Sequence, residues 1–289
     1  MTRWVLTLSC PDRPGIVAAV AGALAGLGGN ITESQQFGDA DTGVFFMRVE
    51  CEIDDAARDR VEAVLRPVAT SFEMDWSLDV VGRPMRTVVM VSTASHCLHD
   101  LAHRQRAGQL PVDIVAVVSN HEVLRPIAEF YGLPFHHVPV SRDAAPGGPG
   151  SKEAAEAELL RLVEETGAEL VVLARYMQIL SDDLCRALAG RIINIHHSFL
   201  PSFKGARPYA QAHRRGVKLI GATAHYATAD LDEGPIIEQD VERVNHDDSV
   251  AELQAMGEDV ERRVLARAVR WHAEHRVLID LGRRTVVFR

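Results

Sequence analysis

Residues 191–201 read Arg-Ile-Ile-Asn-Ile-His-His-Ser-Phe-Leu-Pro, an apolar run that ends in polar side chains of the types used in acyl chemistry. If the run is a strand, Asn194, His196 and Ser198 share one face, because side chains alternate with period two. Residues 221–236 add His225 within a second apolar run and Asp232 in the turn Asp232-Glu233-Gly234-Pro235. Attack on a carbonyl carbon needs a donor that polarises the carbonyl, a group that stabilises the tetrahedral oxyanion and a base for the attacker. Asn194 and His196 can supply the first two, and Asp232 the third. Taken singly, each has an ordinary explanation: a lone Asn or His at a strand end is commonly structural, and Asp before Gly-Pro commonly forms a turn.

The elements that must position these residues follow from periodicity. Residues 4–8, 30–37, 44–49 and 73–80 read as strands and 14–27 and 55–71 as helices, a β-α-β-β-α-β order of the ferredoxin-like kind. Asp12 is expected to cap the first helix, Pro14 to open it and Gly28-Gly29 to end it. Gly82-Arg83-Pro84 breaks both kinds of element and divides the chain into domains at 1–82 and 83–289. Beyond it, short buried-type strands at 87–91, 114–118, 135–138, 170–173 and 192–195 alternate with helices, which predicts an α/β, doubly wound, mostly parallel sheet. Ligands of such sheets bind beyond the carboxyl ends of strands, where the 191–201 segment runs out. Residues 152–165 and 250–274 are expected as helices, 143–150 as a loop and 276–288 as a closing hairpin that turns at Gly282.

Composition removes several function classes. At 289 residues with 47% hydrophobic and 25% charged side chains the chain is ordinary globular material. A net charge of −9 opposes nucleic-acid binding, which needs a basic face. Cys10, Cys51, Cys97 and Cys185 are scattered and read as reduced thiols. His272 and His275 are three apart rather than the four of H-E-x-x-H, so no metal ligand is assigned. Residues 1–9 lack the pattern of a signal peptide and no apolar run reaches ~18 residues, so a cytoplasmic protein without membrane partners is expected.

The spacing of Asn194-Ile195-His196, Ser198, Leu200-Pro201, Gly205, His225 and Leu231-Asp232-x-Gly234-Pro235 resembles the folate-dependent formyltransferase fold. Within it, Ser95-His96-Cys97-Leu98, Ala174-Arg175-Tyr176-Met177-Gln178-Ile179-Leu180 and Gly221-Ala222-Thr223-Ala224-His225-Tyr226 resemble the formyltetrahydrofolate deformylase family. The resemblance implies hydrolysis of 10-formyltetrahydrofolate to formate and tetrahydrofolate, feeding one-carbon and purine metabolism. Water would attack the formyl carbon without cofactor or metal, Asp232 acting as base with a raised pKa and Asn194 and His196 stabilising the oxyanion. Arg175, Tyr176, Met177, Gln178, Ile179, Leu180, His225, Ser198 and Gly205 would bind the folate, together with the loop 227–231. Two alternatives stay open: a formyltransferase acting on an amine, and a regulatory folate or amino-acid binding protein. His197 is the remaining histidine nearest the site; His136, His137 and His213 are expected at the surface or in local packing.

Residues 1–82 resemble an ACT domain through Cys10-Pro11-Asp12-Arg13-Pro14-Gly15-Ile16 and Gly29-Asn30-Ile31. The resemblance implies an effector site at Asp12, Arg13, Pro14, Gly15, Asn30 and Ile31, with methionine as activator and glycine as inhibitor. It also implies a homo-oligomer, a dimer through this domain or a tetramer built from it, with Asn30 of one chain facing the 12–15 loop of the other. A ferredoxin-like domain that serves dimerisation alone is the competing reading.

Overall fold

The computed structural model describes residues 1–54, 58–141, 143–200 and 208–289. The chain divides into two compact units: Met1–Arg83 with Glu274–Leu281 and Thr285–Arg289, and Pro84–Ala273 with Gly282–Arg284.

The first unit runs β1 (Thr2–Pro11), α1 (Ile16–Gly26), β2 (Asn30–Asp39), β3 (Val44–Ile53), α2 (Arg58–Phe72) and β4 (Asp75–Val80). Its antiparallel sheet has the order β2-β3-β1-β4, the ferredoxin-like arrangement expected. Alternate residues Trp4, Leu6, Leu8 and Cys10 of β1 enter one core with Ile16, Val20 and Leu24 of α1 and Val61 and Leu65 of α2. The start of α1 differs from expectation. Its N-cap is Gly15 at φ 99°, with no side-chain cap, and Asp12 instead donates its backbone N–H to Gly43 O at 2.8 Å. A left-handed residue between Pro14 and the helix swings the chain, so neither Asp12 nor Pro14 reaches its expected helical position.

The closing segment also departs from the sequence reading, which assigned everything after residue 82 to the second domain. Strands β12 (Val277–Asp280) and β13 (Arg284–Val287) form the expected hairpin, with Gly282 at φ 70° in the turn. Electrostatics ties this segment to the first unit. Arg276 Nη1 lies 3.1 Å from Glu33, His275 Nε2 lies 3.0 Å from Asp79, and the fully buried Arg48 donates to the Glu274 carbonyl at 3.1 Å. Such pairing between distant segments leaves no local pattern in a sequence.

The second unit contains β5 (Met85–Val91), α3 (His96–Arg106), β6 (Val112–Ser119), α4 (Arg125–Tyr131), β7 (Phe135–His137), α5 (Lys152–Thr166), β8 (Leu170–Leu173), α6 (Asp182–Ala187), β9 (Ile192–His196), α7 (Pro208–Arg215), β10 (Leu219–Tyr226), β11 (Ile236–Arg243) and α8 (Val250–Ala273). The seven-stranded sheet has the order β11-β10-β9-β8-β5-β6-β7. Strands β5 to β9 pair parallel, while β10 lies antiparallel to both β9 and β11. The chain leaves β5 toward β6 and β7, then returns to its other side with β8. That reversal makes a crevice at the carboxyl ends of the strands. Among the described residues no helix is long and apolar enough to cross a membrane. All four cysteines are free and buried.

Candidate active site

Strand pairing brings the first two polar residues together. In the antiparallel register of β9 and β10, Asn194 lies opposite His225 and His196 opposite Thr223. Asn194 Nδ2 sits 3.1 Å from His225 Nε2, and His225 Nδ1 sits 2.9 Å from the Tyr226 carbonyl. The carbonyl can only accept, so Nδ1 carries a proton.

The third residue arrives through a turn that only a glycine permits. A Cβ on Gly234 would lie 1.8 Å from the Tyr226 carbonyl oxygen, so the turn packs its backbone directly on the end of β10. Tyr226 N–H donates to Pro235 O at 2.9 Å, and Asp232 is held at φ 58°, a region Asp enters more readily than most residues. Its carboxylate then lies 3.2 Å from His196 Nδ1 and 3.7 Å from His225 Nε2. Hydrogen bonds from His196 and then His225 outweigh burial and hold the Asp232 carboxyl well below the ordinary carboxylate range. This corrects the expected raised pKa: the two imidazoles stabilise the anion more than desolvation opposes it.

His196 is 7% exposed, and with Nδ1 toward Asp232 its Nε2 is buried without a protein partner. His196 borders an open cleft, lined also by Asn194, His197, His225 and Asp232.

Of the residues expected to bind folate, Arg175, Tyr176, Met177, Gln178, Ile179, Leu180 and His225 line this cleft, as do Ala227, Thr228, Ala229 and Leu231 of the following loop. They divide by burial. Tyr176 is in the core and Leu180 packs against it, whereas Met177, Ile179 and Leu231 are 58%, 61% and 56% exposed and offer apolar surface to a ligand. Ser92 shapes the segment by accepting the Met177 N–H at 3.0 Å while donating to Asn120 at 2.7 Å. Ser198 departs from expectation: it is buried outside the cleft lining, its carbonyl accepting from the Thr223 hydroxyl at 2.9 Å. Strand alternation ends at His196, so the residue two further on no longer shares the face of Asn194. Gly205 falls outside the described residues. His136, His137 and His213 do not line the cleft, and His137 pairs with Glu122 at 3.0 Å.

Sequence reasoning missed the wall behind the cleft. Arg175, at φ 67°, donates from Nη1 to His197 Nδ1 at 2.5 Å and places Nε 3.4 Å from Glu261 of α8. Glu261 also meets His96 at 2.8 Å and the Tyr209 hydroxyl at 2.9 Å. Nothing marked Glu261 among the many charges of that helix. Among the described residues, His96, Cys97 and Glu261 are the one set of side chains close enough to share an ion, their ligand atoms lying within 4.8 Å. The Arg175 guanidinium already serves that carboxylate, and burial, followed by the Glu261 charge, pushes the Cys97 thiol well above its usual value. Neither favours a cation there.

The expected effector residues are less gathered within one chain. Arg13 donates to the Ser71 carbonyl and stacks its guanidinium 4.8 Å from the Phe72 ring. Asn30 pairs with Glu52 opposite Arg3, while the 12–15 loop follows Pro11, which pairs with Val44. Eight register positions separate them, ~26 Å along a strand.

The parallel sheet, the crevice at its strand ends and the Asn-His-Asp cluster define a formyl transferase domain, and the comparisons agree. The formyl transferase family model matches residues 85–269, and the ACT domain model matches residues 4–63. A formyltetrahydrofolate deformylase of Corynebacterium sp. (strain P-1) is 50% identical over 99% of this chain and 98% of its own. One from Bacillus subtilis (strain 168) is 46% identical over 98% of this chain and 93% of its own. The crystal structure of formyltetrahydrofolate deformylase from Burkholderia mallei superimposes with a TM-score of 0.94 at 49% identity, covering 100% of both chains. The chain belongs to the formyltetrahydrofolate deformylase family of hydrolases.

Proposed function

We propose that this chain hydrolyses 10-formyltetrahydrofolate to formate and tetrahydrofolate, without a metal or cofactor. The observation that carries the reading is the buried, unpartnered His196 Nε2 at the cleft, backed by the Asp232 carboxylate on Nδ1 and flanked by Asn194. The apolar wall of Met177, Ile179 and Leu231 would hold the pterin faces. The formyl oxygen would sit between the Asn194 amide and His196 Nε2–H, with the ionised Asp232 stabilising the imidazolium. Asp232 would also accept a hydrogen bond from the attacking water. A carboxylate with so low a proton affinity is a weak base at the start of attack, so its proton transfer would come late, as the water oxygen becomes acidic. The new C–O bond forms, the C–N10 bond breaks, and the proton taken from water ends on N10. Formate and tetrahydrofolate would return to one-carbon and purine metabolism.

The N-terminal unit supports an effector role. Gly15 leaves the first N–H groups of α1 without a side-chain cap, open to an amino-acid carboxylate. Because Asn30 lies at the other end of the sheet, a site using both requires two copies in antiparallel contact, so the protein would act as a dimer or larger oligomer. Methionine would activate and glycine inhibit. The deciding experiment is formate release from 10-formyltetrahydrofolate with no amine acceptor, repeated with each amino acid. Turnover that requires an amine would reassign the chain as a transferase; folate binding without turnover would make it a binding protein.

A further inference from the structure

The wall behind the cleft holds a charge that the formyl chemistry does not use. Glu261 is 1% exposed, and a carboxylate at that depth is tolerated only when paired. Three elements converge on it: His96 from the start of α3, Tyr209 from α7, and Arg175 from the turn after β8. Burial pushes the Glu261 carboxyl up, but His96 and Arg175 outweigh it and leave the group below its ordinary value. Helix α8 makes room for this junction with a glycine, since a Cβ on Gly257 would lie 2.0 Å from the Tyr209 hydroxyl.

Arg175 carries the junction to the cleft. A bulky residue at φ 67° persists only where its surroundings over-determine it, and Glu261 and His197 hold its two sides. A guanidinium has donors only, so His197 Nδ1 must accept, and the proton of the neutral ring resides on Nε2. His197 lines the cleft and stacks on His196, with ring centroids 5.0 Å apart and planes at 20°. The charged or titratable groups facing it are Arg175, His196, Glu261 and Asp232. Burial, then Arg175 and His196, push its pKa down to about 4. Two stacked imidazoles this close repel when both are protonated, so a device that keeps one neutral decides which takes the proton.

We propose that Glu261 and Arg175 are positioning residues that fix His197 as a neutral imidazole protonated on Nε2, so that of the stacked pair only His196 takes up a proton. The catalytic consequence rests on the hydrolase reading above; the tautomer does not. The test is side-chain nitrogen NMR of the full-length chain with labelled histidines, His197 being assigned by its loss in His197→Gln. In the wild type, His197 should remain neutral and Nε2-protonated from pH 8 to below pH 5. In Arg175→Met it should become a tautomer mixture whose pKa rises toward the ordinary ~6.5 but stays below it, because burial remains. Glu261→Gln should loosen the lock in the same sense, and Arg175→Lys should restore it in part. At pH 6, kcat for formate release in Arg175→Met should fall roughly ten- to a hundredfold, the range for partners that orient a reacting group. The loss should be smaller at pH 8. If Glu261→Gln does not fold, the Arg175 variants answer alone. A wild-type His197 that titrates normally, or one that keeps its tautomer in Arg175→Met, overturns the proposal. Absence of formate release with the tautomer intact would instead defeat the hydrolase reading and leave this one standing.

Discussion

Replacing Asp232 by Asn tests the centre of the mechanism with the least change in shape. Asn tolerates the left-handed backbone that Asp232 adopts at φ 58°, so the turn over Tyr226 should persist. What disappears is a charge 3.2 Å from His196 Nδ1. At an effective dielectric of about 20, an imidazolium and a carboxylate at that separation attract by ~5 kcal/mol. The amide oxygen retains a neutral hydrogen bond, and the lost carboxylate no longer has to be desolvated, so roughly 3 kcal/mol of that attraction should appear as lost transition-state stabilisation. This corresponds to about a hundredfold in kcat. Formate release from 10-formyltetrahydrofolate, followed at saturating and limiting substrate, separates kcat from KM. The expected result is a kcat lower by about a hundredfold or more with KM within roughly threefold, since the charge matters most when the oxyanion forms. A kcat within threefold of wild type, or a loss confined to KM, would refute the pairing of Asp232 with a protonated His196.

Asn194→Ala and His196→Ala should each lower kcat by about a hundredfold or more while leaving folate affinity near wild type, as read by equilibrium titration; a pure affinity loss would make them binding groups. Wild-type turnover should survive exhaustive chelation, and activity that vanishes with chelator and returns with zinc would refute the metal-free mechanism. Gly234→Ala should abolish most turnover, because its Cβ would meet the Tyr226 carbonyl at 1.8 Å and displace the turn that aims Asp232; near-wild-type rates would show that the turn can yield. Burial raises the Asp79 carboxyl, but His275 and then Arg83 hold it well below its ordinary value. A lowered folded pKa stabilises the protein above the unfolded value of ~3.9 and ceases to do so as pH falls through the folded one. Asp79→Asn should therefore lower the melting temperature at pH 7 and converge on wild type at strongly acidic pH; a difference that does not vary with pH would contradict the pairing.

Much of this protein was written in local pattern. Apolar runs of strand length and Gly-Pro breaks located most of the strands of both sheets, since burial in a sheet imposes its own spelling. The residue types of Asn194, His196 and Asp232, with their turn and strand contexts, were enough to name a carbonyl chemistry, and family resemblance narrowed it. Tertiary structure decided what depends on register and approach. The antiparallel seating of β10 on β9 set Asn194 against His225, and two imidazoles converging on Asp232 reversed the expected direction of its pKa. Ser198 left the cleft once β9 ended, and the C-terminal hairpin segment joined the first unit through ion pairs to Glu33 and Asp79. Glu261 was invisible because its partners His96, Arg175 and Tyr209 lie 165, 86 and 52 positions away by residue number. Sequence periodicity reports which side of an element is buried; it carries no record of which charges from distant elements meet there, and that meeting sets the protonation of the site.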